Sequence, residues 1–459
     1  AGKEFTTGTN LTFIGYKAGE SSTDTANTVV IGNDAGRDGD LGDYNVFIGS
    51  YSAFNSTGGS NATLGYAAAM DLTSGHSNVA IGSNAAQNMT TGYENVAIGR
   101  DAMVTNTVTG NNNVAIGHDS LKGIADGYGN IGIGTQAGSG NPHSDLNIAI
   151  GYQAGRAIAG ASKTITMGYR AGELAIYSNT SGNQIFIGTE AAQYVGFGNK
   201  STGNNNVFIG THAGRHITYA SQNTVVGHFA YGRLNGSTTI DVSGSNVTAF
   251  GHAAGQYSTG SSNTFVGSYA GQGGTTSAPF SSGQRNTALG YQALQLFTTG
   301  NDNVAIGYQA LRANTTADYN IAIGTEAGKS LTSGARNIVM GRRAYKLATG
   351  GANTIAIGYN AGENVTGGND VFIGYQAGFG STGNSGANGS FNTVVGGGAF
   401  FKNRTGATKN TIMGYQAGYW IYDGGSENVH IGYQSGHYAT GSYNTFVGTE
   451  AGKGGTTSA

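Results

Sequence analysis

Asn95-Val96-Ala97-Ile98-Gly99-Arg100-Asp101-Ala102 is the stretch on which the reading of this chain turns. A short apolar run ends in a glycine, and a small side chain follows three residues later. Near copies stand at Asn113–Ser120, Asn147–Ala154, Asn303–Ala310 and Asn320–Ala327. The same frame recurs twenty-five times between Gly15 and Gly448, most often 17 residues apart, with Gly82, Gly99, Gly151 and Gly307 among its members. The residue three after the glycine is alanine, as at Ala85, Ala102, Ala154 and Ala310, except for Ser52, Ser120 and Ser435. An asparagine such as Asn95 or Asn303 lies four or five before the glycine everywhere except at Gly168. One supersecondary unit repeated at a short fixed period buries its apolar face only by stacking on its neighbours. The expectation is an all-β chain: one parallel β-solenoid or β-roll of about 25 rungs, continuous over residues 1–459.

Within a rung, Val96 and Ile98 point to one face of a strand and Ala97 to the other. The position two before the glycine is itself apolar, filled by Phe13, Phe47, Phe186, Phe208, Phe265, Phe372 and Phe446 or by Ala or Val in most other copies. Apolar residues on both faces predict a sheet covered on both sides. The glycine lets the backbone bend or approach its neighbour without a Cβ. An apolar residue recurs seven after it, as at Leu72, Met89, Ile124, Ile158, Ile217, Phe297, Leu331 and Val365, which predicts a second, shorter strand closing the core. Stacked rungs would bring the asparagines into a ladder in which each amide bonds the next. Pro142 and Pro279 fall between strands, as a ladder that uses every N–H requires.

Composition narrows the function classes. Glycine is 83 of 459 residues without the every-third-residue period of collagen, so it is turn glycine. Charged residues are 10% with a net charge of -2, which leaves no electrostatic footprint for nucleic acid or an anionic membrane surface. No apolar run approaches the ~20 residues of a membrane-spanning helix. Cysteine is absent, which removes thiolate nucleophiles and cysteine metal sites.

A longer period overlies the short one. Thr264–Ala278 and Thr445–Ala459 agree at 12 of 15 positions, which points to duplicated blocks at approximately 95–278 and 286–459. Ala1-Gly2-Lys3 followed by Thr6-Thr7 matches Ala451-Gly452-Lys453 followed by Thr456-Thr457. The expectation drawn from that match is a length of a longer repetitive polypeptide, or a filament whose copies join end to end.

The Asn-Val-Ala-Ile-Gly-x-x-Ala unit resembles the head repeats of trimeric autotransporter adhesins. Variants such as Ile150-Gly151-Tyr152-Gln153-Ala154-Gly155 and Ile373-Gly374-Tyr375-Gln376-Ala377-Gly378 also look like repeats of phage tail-fibre shafts. The adhesin resemblance implies a left-handed β-roll, self-association as a trimer, and a place outside the cell. The rungs here are longer than the usual adhesin repeat, and neither a heptad-patterned stalk nor a β-barrel anchor accompanies them.

Reactive chemistry is sparse in this chain. Gly324-Thr325-Glu326-Ala327-Gly328-Lys329-Ser330 looks like a phosphate-binding loop, but its first glycine is one residue too close to Gly-Lys-Ser. Gly132-Ile133-Gly134 is a lone Gly-x-Gly inside a strand. Histidines such as His118, His212, His216 and His252 sit in turns without ligand spacing. No recurring carboxylate pair suggests a glycosidase. No catalytic residue, cofactor or metal site is assigned. Tyr152, Tyr308, Tyr375 and Tyr415, each just after a rung glycine, are the candidate surface-binding residues, with amphipathic rings suited to a sheet edge, a glycan or a receptor. Asn-x-Ser/Thr sequons, among them Asn61, Asn179, Asn199, Asn235, Asn314, Asn388 and Asn403, would allow a glycan coat. The expected function is a non-catalytic extracellular fibre or filament shaft with an adhesive or surface-attachment role. A phage tail-fibre shaft or receptor-binding protein is the alternative, followed by a polysaccharide-cleaving tailspike and an ice-binding solenoid. Self-association, as a trimer or an end-to-end filament, is the expected partnership, with surface glycans or a host receptor beyond it.

Overall fold

The computed structural model describes residues 1–459 apart from 159–160, 176–181, 195–202, 219, 233–243, 275–280, 381–388, 403–405, 422–423 and 455–459. Pro279 and the sequons at Asn179, Asn199, Asn235, Asn388 and Asn403 lie outside the described residues. The fold is all-β: 25 three-residue strands stack in parallel as a β-solenoid with the predicted period, and no helix occurs among the described residues. The chain divides into two compact units. The first carries β1 (Thr12–Ile14) to β13 (Thr224–Val226), and the second carries β14 (Thr248–Phe250) to β25 (Thr445–Val447).

Every strand ends on the residue before a rung glycine, and like sits over like. Val96 pairs with Val114, Ala97 with Ala115 and Ile98 with Ile116. The glycine itself permits this stacking. Gly99 has φ of 128°, and a Cβ on it would stand 2.7 Å from the carbonyl carbon and oxygen of Gly117 in the next rung. No L-residue fits a left-handed backbone whose outward hydrogen points into a neighbouring peptide.

Beyond the glycine, the predicted second strand does not form among the described residues. The backbone instead alternates hand: two residues after the glycine it is left-handed, as at Asp101 (φ 56°), and again at four, as at Met103 (φ 56°). Alternation of this kind bends the chain continually, so no pleated strand forms. It also turns successive N–H groups to opposite neighbours. Asp101 donates back to the Ser83 carbonyl at 3.1 Å, and Met103 donates forward to the Ser120 carbonyl at 2.9 Å. The turns are thereby tied into the stack as firmly as the strands, and sheet-like pairing survives there only as isolated bridges such as Met89 with Val108. The apolar residues seven after the glycine are buried as expected, Leu72, Met89, Phe297 and Leu331 completely so. They close the core from turns. Pro142 lies in a turn, where its carbonyl accepts from Ala125 N–H at 2.9 Å.

The asparagines form the expected ladder, and its detail explains why asparagine is used. Asn95 Nδ2 donates to Asn78 Oδ1 at 3.2 Å and to the Gly110 carbonyl at 2.8 Å. Its Oδ1 accepts from the N–H and the Nδ2 of Asn113 at 3.0 and 3.2 Å. Each amide thus stitches three rungs through donors and acceptors buried from water, where a partner is worth most. The residue four before the glycine fills this ladder, with Asn303 fully buried. An asparagine five before the glycine does something else. Asn27, Asn205 and Asn353 there take left-handed turns, with φ of 53°, 62° and 56°.

Candidate functional site

The middle residue of each strand faces the core. Ala97, Ala115, Phe47, Phe265 and Phe372 are fully buried, whereas Phe13 and Phe446 in the first and last strands are partly open. Ala85, Ala102, Ala154 and Ala310, three after the glycine, are also fully buried. The two flanking strand positions contradict the expectation of a sheet covered on both sides. None of them is buried, and Ile116, Ile133, Ile321 and Leu64 keep 36–48% of their surface. The physical reason lies in the turns. They fold the rung back over one face only, so the other face looks outward.

That outward face has an unusual composition. In all 25 strands the residue before the glycine is Ile, Val, Leu, Met or Phe, and the residue two earlier is Val, Ile, Thr or Ala. An antiparallel sheet with one wet face would alternate apolar with polar residues. Here, within each unit, two rows with no charged side chain run from rung to rung.

Tyr152, Tyr308, Tyr375 and Tyr415 are exposed to 47–59%. They do not stand singly. Tyr152 stacks on Tyr169 at 5.4 Å, Tyr291 on Tyr308 at 5.6 Å, Tyr359 on Tyr375 at 5.4 Å and Tyr415 on Tyr433 at 5.8 Å, with planes within 13°. Within each pair the facing ring surfaces are taken by each other. What the pairs offer outward is ring edges and hydroxyl groups, suited to hydrogen bonding more than to stacking on a sugar.

The charged groups are mostly engaged with one another. In the stretch resembling a phosphate loop, Lys329 Nζ bonds Glu326 Oε1 at 2.7 Å. That bond, aided by Lys346, holds the Glu326 carboxyl down at about 2. Gly324 there is an ordinary rung glycine with φ of 133°. Gly132 and Ile133 lie in the strand Ile131–Ile133. His212 Nε2 bonds Glu190 Oε2 at 3.0 Å, His216 stacks on Tyr194, and His252 stacks on His228. Asp101, His118 and Asp119 do converge, with one ligand-type atom from each within 4.8 Å of the others. Arg100 already contacts His118 and Asp101, and Lys122 Nζ bonds Asp119 at 2.9 Å. Burial opposes the charge on Asp119, but Lys122 outweighs it and keeps the carboxyl below its usual range. This is a closed ion-pair network. The sequons at Asn61 and Asn314 are buried, Asn61 as a rung of the amide ladder, and offer no acceptor to a glycosylating enzyme once folded.

No protein-family model matches the chain, and no curated protein matches it.

Proposed function

We propose that this chain is a length of a non-catalytic extracellular structural fibre, at a cell surface or on a virion tail, whose copies associate side by side through the outward face of the strands. The single observation that supports this is the row before the glycine, which is apolar in every strand and buried in none. Each Ile, Val or Leu covered by a partner would contribute, from the part of its surface still open, a fraction of the ~1.5–3 kcal/mol of a full burial, and the effect accumulates rung by rung. A second copy is the fitting cover, because its own rows repeat at the same spacing and bring no charge that must be desolvated. A trimer about this face accords with the resemblance to adhesin heads. The tyrosine hydroxyl rows are the natural points for an attachment role.

The reading is tested by sedimentation of the intact chain beside the triple variant Ile116→Ser, Ile133→Ser, Ile150→Ser. The expected result is a stable oligomer for the parent and a smaller species for the variant, with each retaining its β-sheet spectrum. A parent that sediments as a monomer at micromolar concentration overturns the proposal.

A further inference from the structure

In the second unit the amide ladder changes chemistry most sharply where a carboxyl enters it. Asn337 Nδ2 donates to Asn320 Oδ1 at 3.0 Å and to the Gly351 carbonyl at 2.9 Å. Asn410 Nδ2 likewise donates to Asn392 Oδ1 at 3.0 Å and to the Gly425 carbonyl at 3.1 Å. Between them the ladder position is filled by Thr354 and then Asp370, both fully buried. Asp370 Oδ1 does the acceptor half of the work, receiving the N–H and the Nδ2 of Asn392 at 2.8 and 3.0 Å. Its Oδ2 stands where the other rungs carry Nδ2, and it has no partner among the described residues.

In each amide rung the carbonyl that receives Nδ2 belongs to the residue three before the next ladder member: Gly351 before Thr354, Gly425 before Asn428. At Asp370 that residue is Gly389. A carboxylate would set lone pairs toward that carbonyl in a site without water access. A carboxylic acid would present an O–H and donate as the amide does. We propose that Asp370 is kept as the neutral acid, its Oδ2–H donating to the Gly389 carbonyl in place of the missing amide, so that loss of this proton opens the ladder locally.

The groups around it agree. Thr354 and Asn392 are neutral, and among the described residues the titratable neighbour is Tyr345, whose hydroxyl donates to the Gly367 carbonyl at 2.5 Å and lies 3.5 Å from Thr354 Oγ1. Burial pushes the Asp370 carboxyl up to about 6 against the pull of the Asn392 donors. Its folded value is therefore above the unfolded value of about 3.9, so the folded state holds the extra proton, and stability from this group falls as pH rises through about 4 to 6. This rung is a joint that is tight in mild acid and loosened near neutrality.

The experiment compares thermal unfolding of the full chain with that of Asp370→Asn at about pH 4.5 and about pH 8. The expected result is a midpoint several degrees higher for the variant at the higher pH and no gain at the lower. An equal shift at both, or a lower midpoint at the higher pH, overturns the proposal. Should the variant fail to fold, carbon-13 titration of aspartate-labelled parent chain decides. One buried carboxyl titrating above about 5 supports the assignment, and all carboxyls titrating below that overturn it.

Discussion

In each unit two kinds of rung fill the core from opposite sides. At Gly99, Gly117, Gly290 and Gly307 the strand contributes only Ala97, Ala115, Ala288 and Ala305, and the bulk comes from the turn as Met103, Leu121, Leu294 and Leu311. At Gly210, Gly267 and Gly374 the strand contributes Phe208, Phe265 and Phe372, and the corresponding turn positions are Gly214, Gly271 and Gly378. The exchange is steric. A Cβ on Gly214 would lie 2.6 Å from the Phe208 ring, and one on Gly271 or Gly378 would lie 2.1 Å from Phe265 or Phe372. Both kinds keep the left-handed turn, with φ of 52° at Leu294 and 53° at Gly271. A leucine there accepts a backbone cost of about 1–2 kcal/mol, and full burial of its side chain returns about 1.5–3 kcal/mol. In these rungs filled volume is kept while the segment that supplies it changes, and where both places are small, as at Ala322 and Gly328, a neighbouring rung's side chain such as Leu311 comes close to the gap.

The largest expected effect breaks that exchange. Phe265→Ala empties the core of a phenylalanine rung and should cost about 3–5 kcal/mol in chemical denaturation. Gly271→Leu alone overfills it and should also destabilise. The double variant converts the rung to the other kind, so the two costs should be strongly non-additive and partly cancel. Simple additivity would mean that the two positions do not share one space. Next in size is the amide ladder, which runs through both kinds of rung. Asn95→Ala strips two bonds donated to oxygen, a longer one to Met89 Sδ and two accepted bonds in an alanine rung. Asn263→Ala strips the bonds to the Gly260 and Gly283 carbonyls and the acceptor of Asn286 N–H beside a phenylalanine. Each should cost about 1–3 kcal/mol, and similar values from the same denaturation measurement would show the ladder to be indifferent to how the core is filled.

The stacking of strands, the buried Ala102 column and the amide ladder were all legible, because the glycine frame places identical side chains at identical heights. The exchange between Phe265 and Gly271 was not legible position by position, since rungs such as Ala322 with Gly328 are small at both places and Val339 with Tyr345 is large at both. Two further features were not legible. Ile98 and Ala97 are both apolar, so hydrophobicity cannot say which face the turns will cover, and the answer depends on a backbone path set after the glycine. That path uses left-handed residues such as Asp101, Met103 and Leu121, which carry no glycine or asparagine signature to announce them. A buried apolar residue such as Leu331 looks the same in a turn as in a strand, and hence the second strand was expected and is absent among the described residues.

His430 offers the finest test of the comparison, since it puts a polar ring where the phenylalanine rungs put Phe. It is fully buried between the strand positions Val429 and Ile431, packs against Phe446 at 5.2 Å between ring centres, and would collide with a Cβ on Gly436, as Phe265 would with one on Gly271. Burial holds its imidazole below the usual value of 6.5. The unfolded chain therefore binds the proton more readily, and the stability due to His430 is complete above about pH 6.5 and is lost as the pH falls through and below it. His437 is shifted in the same direction by burial, and Asp370 in the opposite sense, so the wild-type profile alone mixes several groups. The difference between the parent and His430→Phe isolates one. If His430 acts only as a ring-shaped filler, that variant should match or exceed the parent at about pH 8, and its advantage should widen steadily below about pH 6.5. An advantage independent of pH would show that burial leaves the proton affinity of the imidazole unchanged, and an advantage that narrows as the pH falls would show that this rung is filled by a charge.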